Sequence, residues 1–168
     1  MTEREIQLII GRNIGFKNIC IPNVILTGEY LTEELAGIEK MKPWQRPSKM
    51  YEADLIYISP ADFVTEIEIK ITIEDFRNDF KKKIFHSSPL VSRFYYAFPQ
   101  ELYKQHKAEI NAAVKGIAGI VTVCSGMQTQ FKTVAPKRKN AKKLTFNEKL
   151  NFMRIGCMKW FKDWKCTK

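Results

Sequence analysis

Apolar and polar residues change their period along the chain, and the changes mark out its elements. After Phe63 they alternate: Ile67, Ile69, Ile71 and Ile73 fall on one side, and Glu66, Glu68, Lys70 and Thr72 on the other. That two-residue period predicts a β-strand with one greasy and one ionisable face. Upstream, Ala53-Asp54-Leu55-Ile56-Tyr57-Ile58 also has strand composition. Ser59-Pro60-Ala61-Asp62 between the two is a turn signal, so the pair predicts a β-hairpin. Beyond Lys70 the period lengthens. Ile73, Phe76, Phe80 and Ile84 recur at helical spacing, and Thr72 with Asp75 is placed as a capping box, which predicts a helix directly behind the ionisable strand.

The same reading covers the rest of the chain. Thr2 caps a helix to about Ile10, and Gly11 with Gly15 stops it before the strand-like Asn18-Ile19-Cys20-Ile21-Pro22. From Leu31 to Met50 the pattern is weak. A short helical stretch through Leu35 and Ile38 runs into Lys42-Pro43-Trp44-Gln45-Arg46-Pro47, whose prolines predict a surface loop. Phe94 to Phe98 is a strand closed by Pro99, Gln100 to Val114 a helix, Ala118 to Val123 a buried strand and Gln128 to Val134 an edge strand. Thr145 and Glu148 make a second capping box for a helix carrying Phe146, Leu150, Met153, Trp160 and Trp164. The order α, β, β-hairpin, α, β, α, β, edge β, α predicts an α/β fold, a mixed sheet with helices packed on its faces, in one domain over residues 1–168.

Charge narrows the partner. Lys and Arg outnumber Asp and Glu by 28 to 18, a formal charge of +10, which favours a polyanion such as nucleic acid or an anionic membrane. The opening Met1-Thr2-Glu3-Arg4-Glu5 carries acids, and no stretch approaches a membrane span, so neither a secretory signal nor a transmembrane segment is expected. Cys20, Cys124, Cys157 and Cys166 are scattered without a CxxC pair, and only His86 and His106 accompany them. This argues against a zinc site or a disulfide framework and for free thiols in a reducing cytoplasm.

The hairpin carries the candidate chemistry. A five-residue loop sets Ile58 opposite Val64, and counting back sets Asp54 opposite Glu68, with their Cβ atoms roughly 5 Å apart and Lys70 next on the same face. Opposed carboxylates repel unless a cation lies between them. Hard Mg²⁺ or Mn²⁺ answers that need with oxygen ligands, and Lys70 beside an attacking water can orient it, lower its pKa or offset transition-state charge. The three residues describe metal-dependent phosphodiester hydrolysis. The bland alternative is a half-solvated strand whose Glu68 and Lys70 face water. An acid-x-Lys triplet also occurs at Asp79-Lys81 and Asp163-Lys165, but on or beside helix faces expected to be solvated.

These residues resemble the PD-(D/E)XK nuclease superfamily, with Asp54 as its first acid, Glu68 its second, Lys70 its lysine, and Ala53 in place of the usual Pro. More narrowly, Glu52 to Pro99 resembles MmcB-like DNA-repair proteins. It follows their order of strand-Glu-x-Lys, then Asp75-Phe76 and Asp79, then Arg93-Phe94-Tyr95-Tyr96-Ala97-Phe98-Pro99. The resemblance implies a three-layer α/β/α, restriction-endonuclease-like fold and a Mg²⁺ or Mn²⁺ site at Asp54 and Glu68. It adds the Ile69 backbone carbonyl as a ligand and an acid from the first helix, Glu3 or Glu5. It also favours DNA over RNA as substrate, in repair, recombination or mobile-element defence. Inactive relatives leave open a non-cleaving nucleic-acid-binding or regulatory protein on the same fold, and a homodimer is the simplest way to cut two strands.

Outside the hairpin, Lys137, Arg138, Lys139, Lys142 and Lys143 read as a phosphate-contacting arm or as a solvated linker. Lys81, Lys82 and Lys83 extend that surface or balance a helix C-terminus. Trp160, Phe161 and Trp164 stack on bases or fill the core, with core favoured for Trp160. Asp75 and Asp79, four apart on a helix, reach the substrate or are ordinary solvated acids, and stand outside the catalytic set. A basic amphipathic C-terminal helix also fits a module for an anionic membrane or a protein partner.

Overall fold

The computed structural model describes residues 1–29, 38–42, 45–46, 48–81 and 86–165, the last six as backbone. Ile84, Lys82, Lys83 and Leu35, and the side chains of Trp160, Phe161 and Trp164, lie outside the described residues. Six strands among those described are β1 (Ile19–Thr27), β2 (Met50–Ile58), β3 (Val64–Ile69), β4 (Val91–Pro99), β5 (Gly119–Val123) and β6 (Thr129–Thr133). They lie in one sheet in chain order. β3 runs parallel to β4 and β4 to β5, and the other neighbours are antiparallel, so the sheet is mixed. The helices are α1 (Glu3–Ile14), α2 (Ile73–Asp79), α3 (Gln100–Gln105), α4 (Lys107–Val114) and α5 (Phe146–Lys165).

The period-2 pattern divides the core into two faces. On one, Ile6, Ile9 and Ile10 of α1 pack on Leu55, Ile67, Ile69, Tyr95, Ala97, Val121 and Val123. On the other, Phe76 of α2 joins Tyr103, Ile110 and Val114 over Phe94, Tyr96, Phe98 and Ile120. Further along, Phe152 of α5 joins Leu144 over Ile21, Ile56, Ile58 and Val64. The expected α/β class and mixed sheet are present.

Details differ for local reasons. The Thr2 capping box forms, with Glu5 N–H donating to Thr2 Oγ1 and Thr2 N–H to Glu5 Oε2, but α1 continues through Gly11 to Ile14. A helical glycine costs only about 1 kcal/mol, which the burial of Ile6, Ile9 and Ile10 outweighs. β1 runs past Pro22 because it is an edge strand and the proline needs no ladder donor on its free side. The predicted helix from Gln100 to Val114 breaks at His106 into α3 and α4. At α2, Thr72 Oγ1 accepts from Asp75 N–H, and the helix ends at Asp79, leaving Phe80 37% exposed. Strict alternation ends with β3, so Ile71 is 44% exposed instead of joining the greasy face.

Gly119 faces Tyr95 across the β4–β5 pair. A Cβ there would stand 2.3 Å from the Tyr95 ring and 2.6 Å from the Ala135 nitrogen. Gly119→Ala is therefore expected to destabilise the fold by about 1–3 kcal/mol, seen as a lower denaturant midpoint. An unchanged midpoint would mean that β5 and the Ala135 segment adjust freely.

Candidate active site

The hairpin register is the one that loop length predicts: Ile58 pairs with Val64 and Leu55 with Ile67. One step further the register sets Asp54 beside Glu68, and there the side chain takes over from the ladder. Asp54 Oδ2 accepts the Ile69 N–H at 2.7 Å. In an antiparallel ladder a residue's N–H and C=O leave the same edge of the strand, so the Ile69 carbonyl faces the Asp54 side. The next amide, Lys70 N–H, donates to Ala97 O of β4 at 2.9 Å. Gln7 ties α1 to this corner, its Nε2 lying 2.9 Å from Asp54 O, 2.7 Å from Asn23 Oδ1 and 3.2 Å from Glu3 Oε1.

The two first-helix acids differ in their surroundings. Partial burial raises the Glu3 carboxyl, and the Glu68 carboxylate raises it further. Glu5 is fully exposed and held low by its hydrogen bonds with Thr2. Of the two acids left open by the sequence, Glu5 caps the helix, while the Glu3 carboxyl feels the Glu68 charge. Asp54 responds most strongly: burial first, then Glu68, push its carboxyl up to about 7 against the opposing Ile69 hydrogen bond.

The ionisable face of β3 is not half-solvated. Glu66 is 0% exposed, and Glu68 and Lys70 are 3% exposed each. Lys70 Nζ lies 2.8 Å from Glu68 Oε1, 3.2 Å from Asp79 Oδ1 and 3.5 Å from Asp75 Oδ2. Burial pulls the Lys70 pKa down, but Glu68 above all outweighs it and the net shift is upward. A buried ammonium in such company is a fixed positive charge beside the metal-ligand candidate Glu68.

Asp79 corrects the expectation of solvated helix acids, because its side chain is 0% exposed while that of Asp75 is 54% exposed. Asp79 Oδ2 accepts from Tyr96 Oη at 2.6 Å and lies 2.8 Å from His86 Nε2. The other imidazole nitrogen, Nδ1, is 2.5 Å from Glu66 Oε1, and Tyr51 donates to Glu66 Oε2 at 2.8 Å. Burial pulls the His86 pKa down, yet the hydrogen bonds to Asp79 and Glu66 lift it to about 9. His86 adopts a φ of 40°, in the left-handed region, while its ring stacks on Phe94 at 4.3 Å. The alternation signalled Glu66; Asp79 carried only its helical spacing, and nothing local signalled His86.

The basic run divides in use. Arg138 braces the His86 loop: Nη1 donates to Ser88 O at 2.8 Å, Nη2 to His86 O, and its N–H to Ser92 O at 2.9 Å. Lys137 lies 4.2 Å and Lys143 6.0 Å from the centroid of the Phe63 ring, and Lys139 and Lys142 are exposed. The four lysines still form a cationic surface, whereas the guanidinium of Arg138 is committed to backbone carbonyls.

Two donor sets invite a metal. Asp54, Glu68 and the Ile69 carbonyl are oxygen donors of the kind Mg²⁺ and Mn²⁺ prefer, and the Asp54 carboxyl is raised first by burial and then by the Glu68 charge, which a cation would offset. Glu66, Glu68 and His86 also bring ligand atoms within 4.8 Å of one another. There both ring nitrogens of His86 already meet carboxylates, and an imidazolium has no lone pair to give. The first set fits a hard cation better.

Asp54→Asn tests that charge balance. Asn keeps an acceptor for Ile69 N–H and removes the repulsion. The Asp54 contribution is fully present below its ordinary 3.8 and is lost as pH rises through about 7. In EDTA above that range Asp54→Asn is expected to be more stable than wild type by about 1–3 kcal/mol after solvent screening, and to lose stabilisation by Mg²⁺. Thermal unfolding with and without metal checks both signs.

No family model matches the chain, and no curated protein does. A solved structure does match: the SPO1766 protein of unknown function from Silicibacter pomeroyi, with a TM-score of 0.58 at 13% identity, covering 98% of this chain and 90% of that one. At that identity the likeness shows the α/β fold alone. Among the described residues no helix is long and apolar enough to cross a membrane.

Proposed function

We propose that the protein is a Mg²⁺- or Mn²⁺-dependent nuclease of PD-(D/E)XK type, with the three-layer α/β/α arrangement of restriction endonucleases, that hydrolyses phosphodiester bonds in DNA. The observation that carries this is the convergence of Asp54, Glu68, Lys70 and Glu3 around the end of the hairpin, with Asp54 held on the Ile69 amide at 2.7 Å. Four groups, from β2, β3, the residue just after β3 and α1, meet there, although repulsion among the acids opposes their meeting.

Asp54, Glu68 and the Ile69 carbonyl would hold the ion, with Glu3 at the rim. A bound divalent ion supplies charge stabilisation for the phosphoryl oxygens and lowers the pKa of a coordinated water. Lys70 sets a fixed positive charge beside Glu68, where it offsets negative charge that develops on the phosphate. Lys137, Lys139, Lys142 and Lys143 supply sequence-independent attraction to the phosphate backbone, in keeping with the charge of +10. Arg4, Arg12 and Lys159, with the fully exposed Phe16, line an open and mainly apolar pocket along α1 that Gln7 joins to the site.

The test is cleavage of labelled single-stranded, double-stranded and branched DNA in Mg²⁺, Mn²⁺ or EDTA. Metal-dependent cutting that disappears in Asp54→Asn supports the reading and identifies the preferred substrate. Salt-sensitive binding without cutting on any of them, and on RNA, would replace it with a non-cleaving nucleic-acid-binding protein. Light scattering with and without DNA addresses the homodimer.

A further inference from the structure

We propose that Asp79 is a positioning residue for Lys70, itself held by His86 and Tyr96; what Lys70 is positioned to do rests on the nuclease reading, whereas the positioning rests on geometry. Asp79 stands where two local effects oppose an anion. It is the last residue of α2, at the end of a helix where the backbone dipole disfavours negative charge, and it is 1% exposed. An acid with no task at a helix end would turn to water; Asp75, in the first turn of the same helix, keeps its side chain 54% exposed even while its Oδ2 lies 3.5 Å from Lys70 Nζ.

Its two oxygens divide their work. Oδ2 is fixed by Tyr96 at 2.6 Å and His86 at 2.8 Å, which leaves Oδ1 facing Lys70 Nζ at 3.2 Å. His86 is fixed in turn by Glu66 on its other nitrogen and by Arg138 on its backbone carbonyl. A residue held at a left-handed φ of 40° needs such over-determination, because that conformation costs of order 1–3 kcal/mol outside glycine.

The arrangement answers a problem that Glu68 creates. Lys70 lies 2.8 Å from Glu68, the carboxylate that would also bind the metal. A flexible lysine with Glu68 as its sole partner would compete with the ion for it, or swing away once the ion is bound. Asp79 gives Nζ a second buried anchor that the metal does not claim, so Lys70 stays beside the site when Glu68 turns to a cation.

A double-mutant cycle reads this directly. Asp79→Asn is expected to lower kcat by about 10–100-fold with KM nearly unchanged, and to have almost no further effect in a Lys70→Met background. Equal losses in both backgrounds would overturn the proposal, since a merely structural Asp79 acts independently of Lys70. A measurement that needs no activity accompanies it: the ¹H–¹⁵N signal of the Lys70 ammonium in metal-free protein, assigned with Lys70→Arg. Protected exchange in wild type that is lost in Asp79→Asn, with the backbone spectrum retained, supports positioning; an unchanged ammonium signal refutes it. If Asp79→Asn does not fold, Tyr96→Phe keeps every charge and is expected to shift both readouts in the same direction by less, and no shift in either refutes the proposal. If wild type cuts nothing, the nuclease reading fails, and the ammonium signal still decides whether Asp79 positions Lys70.

Discussion

Lys70→Met is expected to reduce DNA cleavage by about 10²–10³-fold or more and to destabilise the metal-free protein by roughly 3–5 kcal/mol. Met keeps the four-atom stem and removes the ammonium, with its charge and its hydrogen-bond donors. The stability loss follows from what remains: Glu68 and Asp79, 3% and 1% exposed, would face each other's field without the ammonium between them. Truncating one member of a buried charged set costs more than the set contributes over an apolar replacement, because the surviving charges stay desolvated. The two effects separate experimentally. Denaturant unfolding in EDTA gives the stability term, and single-turnover cleavage well below the melting temperature gives the chemical one. Mg²⁺ is expected to restore part of the stability and none of the cleavage. Wild-type cleavage by a folded Lys70→Met would remove Lys70 from the reaction.

His86 gives the second large effect, on the pH dependence of folding. In an unfolded chain its imidazole titrates near 6.5, and in the fold it is lifted to about 9. The folded state therefore holds the proton more tightly. The contribution is fully present below about 6.5 and is lost as pH rises through about 9, for an order-of-magnitude total of about 3 kcal/mol. Asp54 adds a lower window of the same sign, ending near 7. Metal-free wild type should thus lose stability in two stages on going from acid to alkaline pH, and Asp54→Asn should flatten the first. His86→Phe should flatten the second, while costing roughly 3–5 kcal/mol because Glu66 and Asp79 are left buried against an apolar ring. Thermal unfolding across pH checks this. Stability that rises through about pH 6.5 and then stays flat from about pH 7 to 9 would mean that His86 is neutral in the fold.

Legibility followed range. The hairpin was readable because its turn residues, loop length and alternation all act within a few residues, and they brought Asp54, Glu68 and Lys70 to one place. The helix behind β3 was readable from its spacing, but its end was not: the predicted periodicity ran on to Ile84, whereas α2 stops at Asp79. The break at His106 and the continuation of β1 past Pro22 were equally unmarked, because tertiary packing outweighs weak local preferences.

By itself the sequence determined the α/β class, the mixed order of elements, the hairpin register and the clustering of two acids and a lysine at its end. Each follows from side-chain period and turn chemistry, which neighbours along the chain specify. Only the tertiary structure decided that the ionisable face of β3 is buried and that Asp79 and His86 stand behind Lys70. It also decided that Arg138 serves a loop. Those outcomes depend on which distant groups share a low-dielectric space: His86 lies 20 residues from Glu66, and Arg138 lies 52 from the carbonyl it holds. A carboxylate at a helix end looks the same in sequence whether water or a buried lysine faces it, and packing makes that choice.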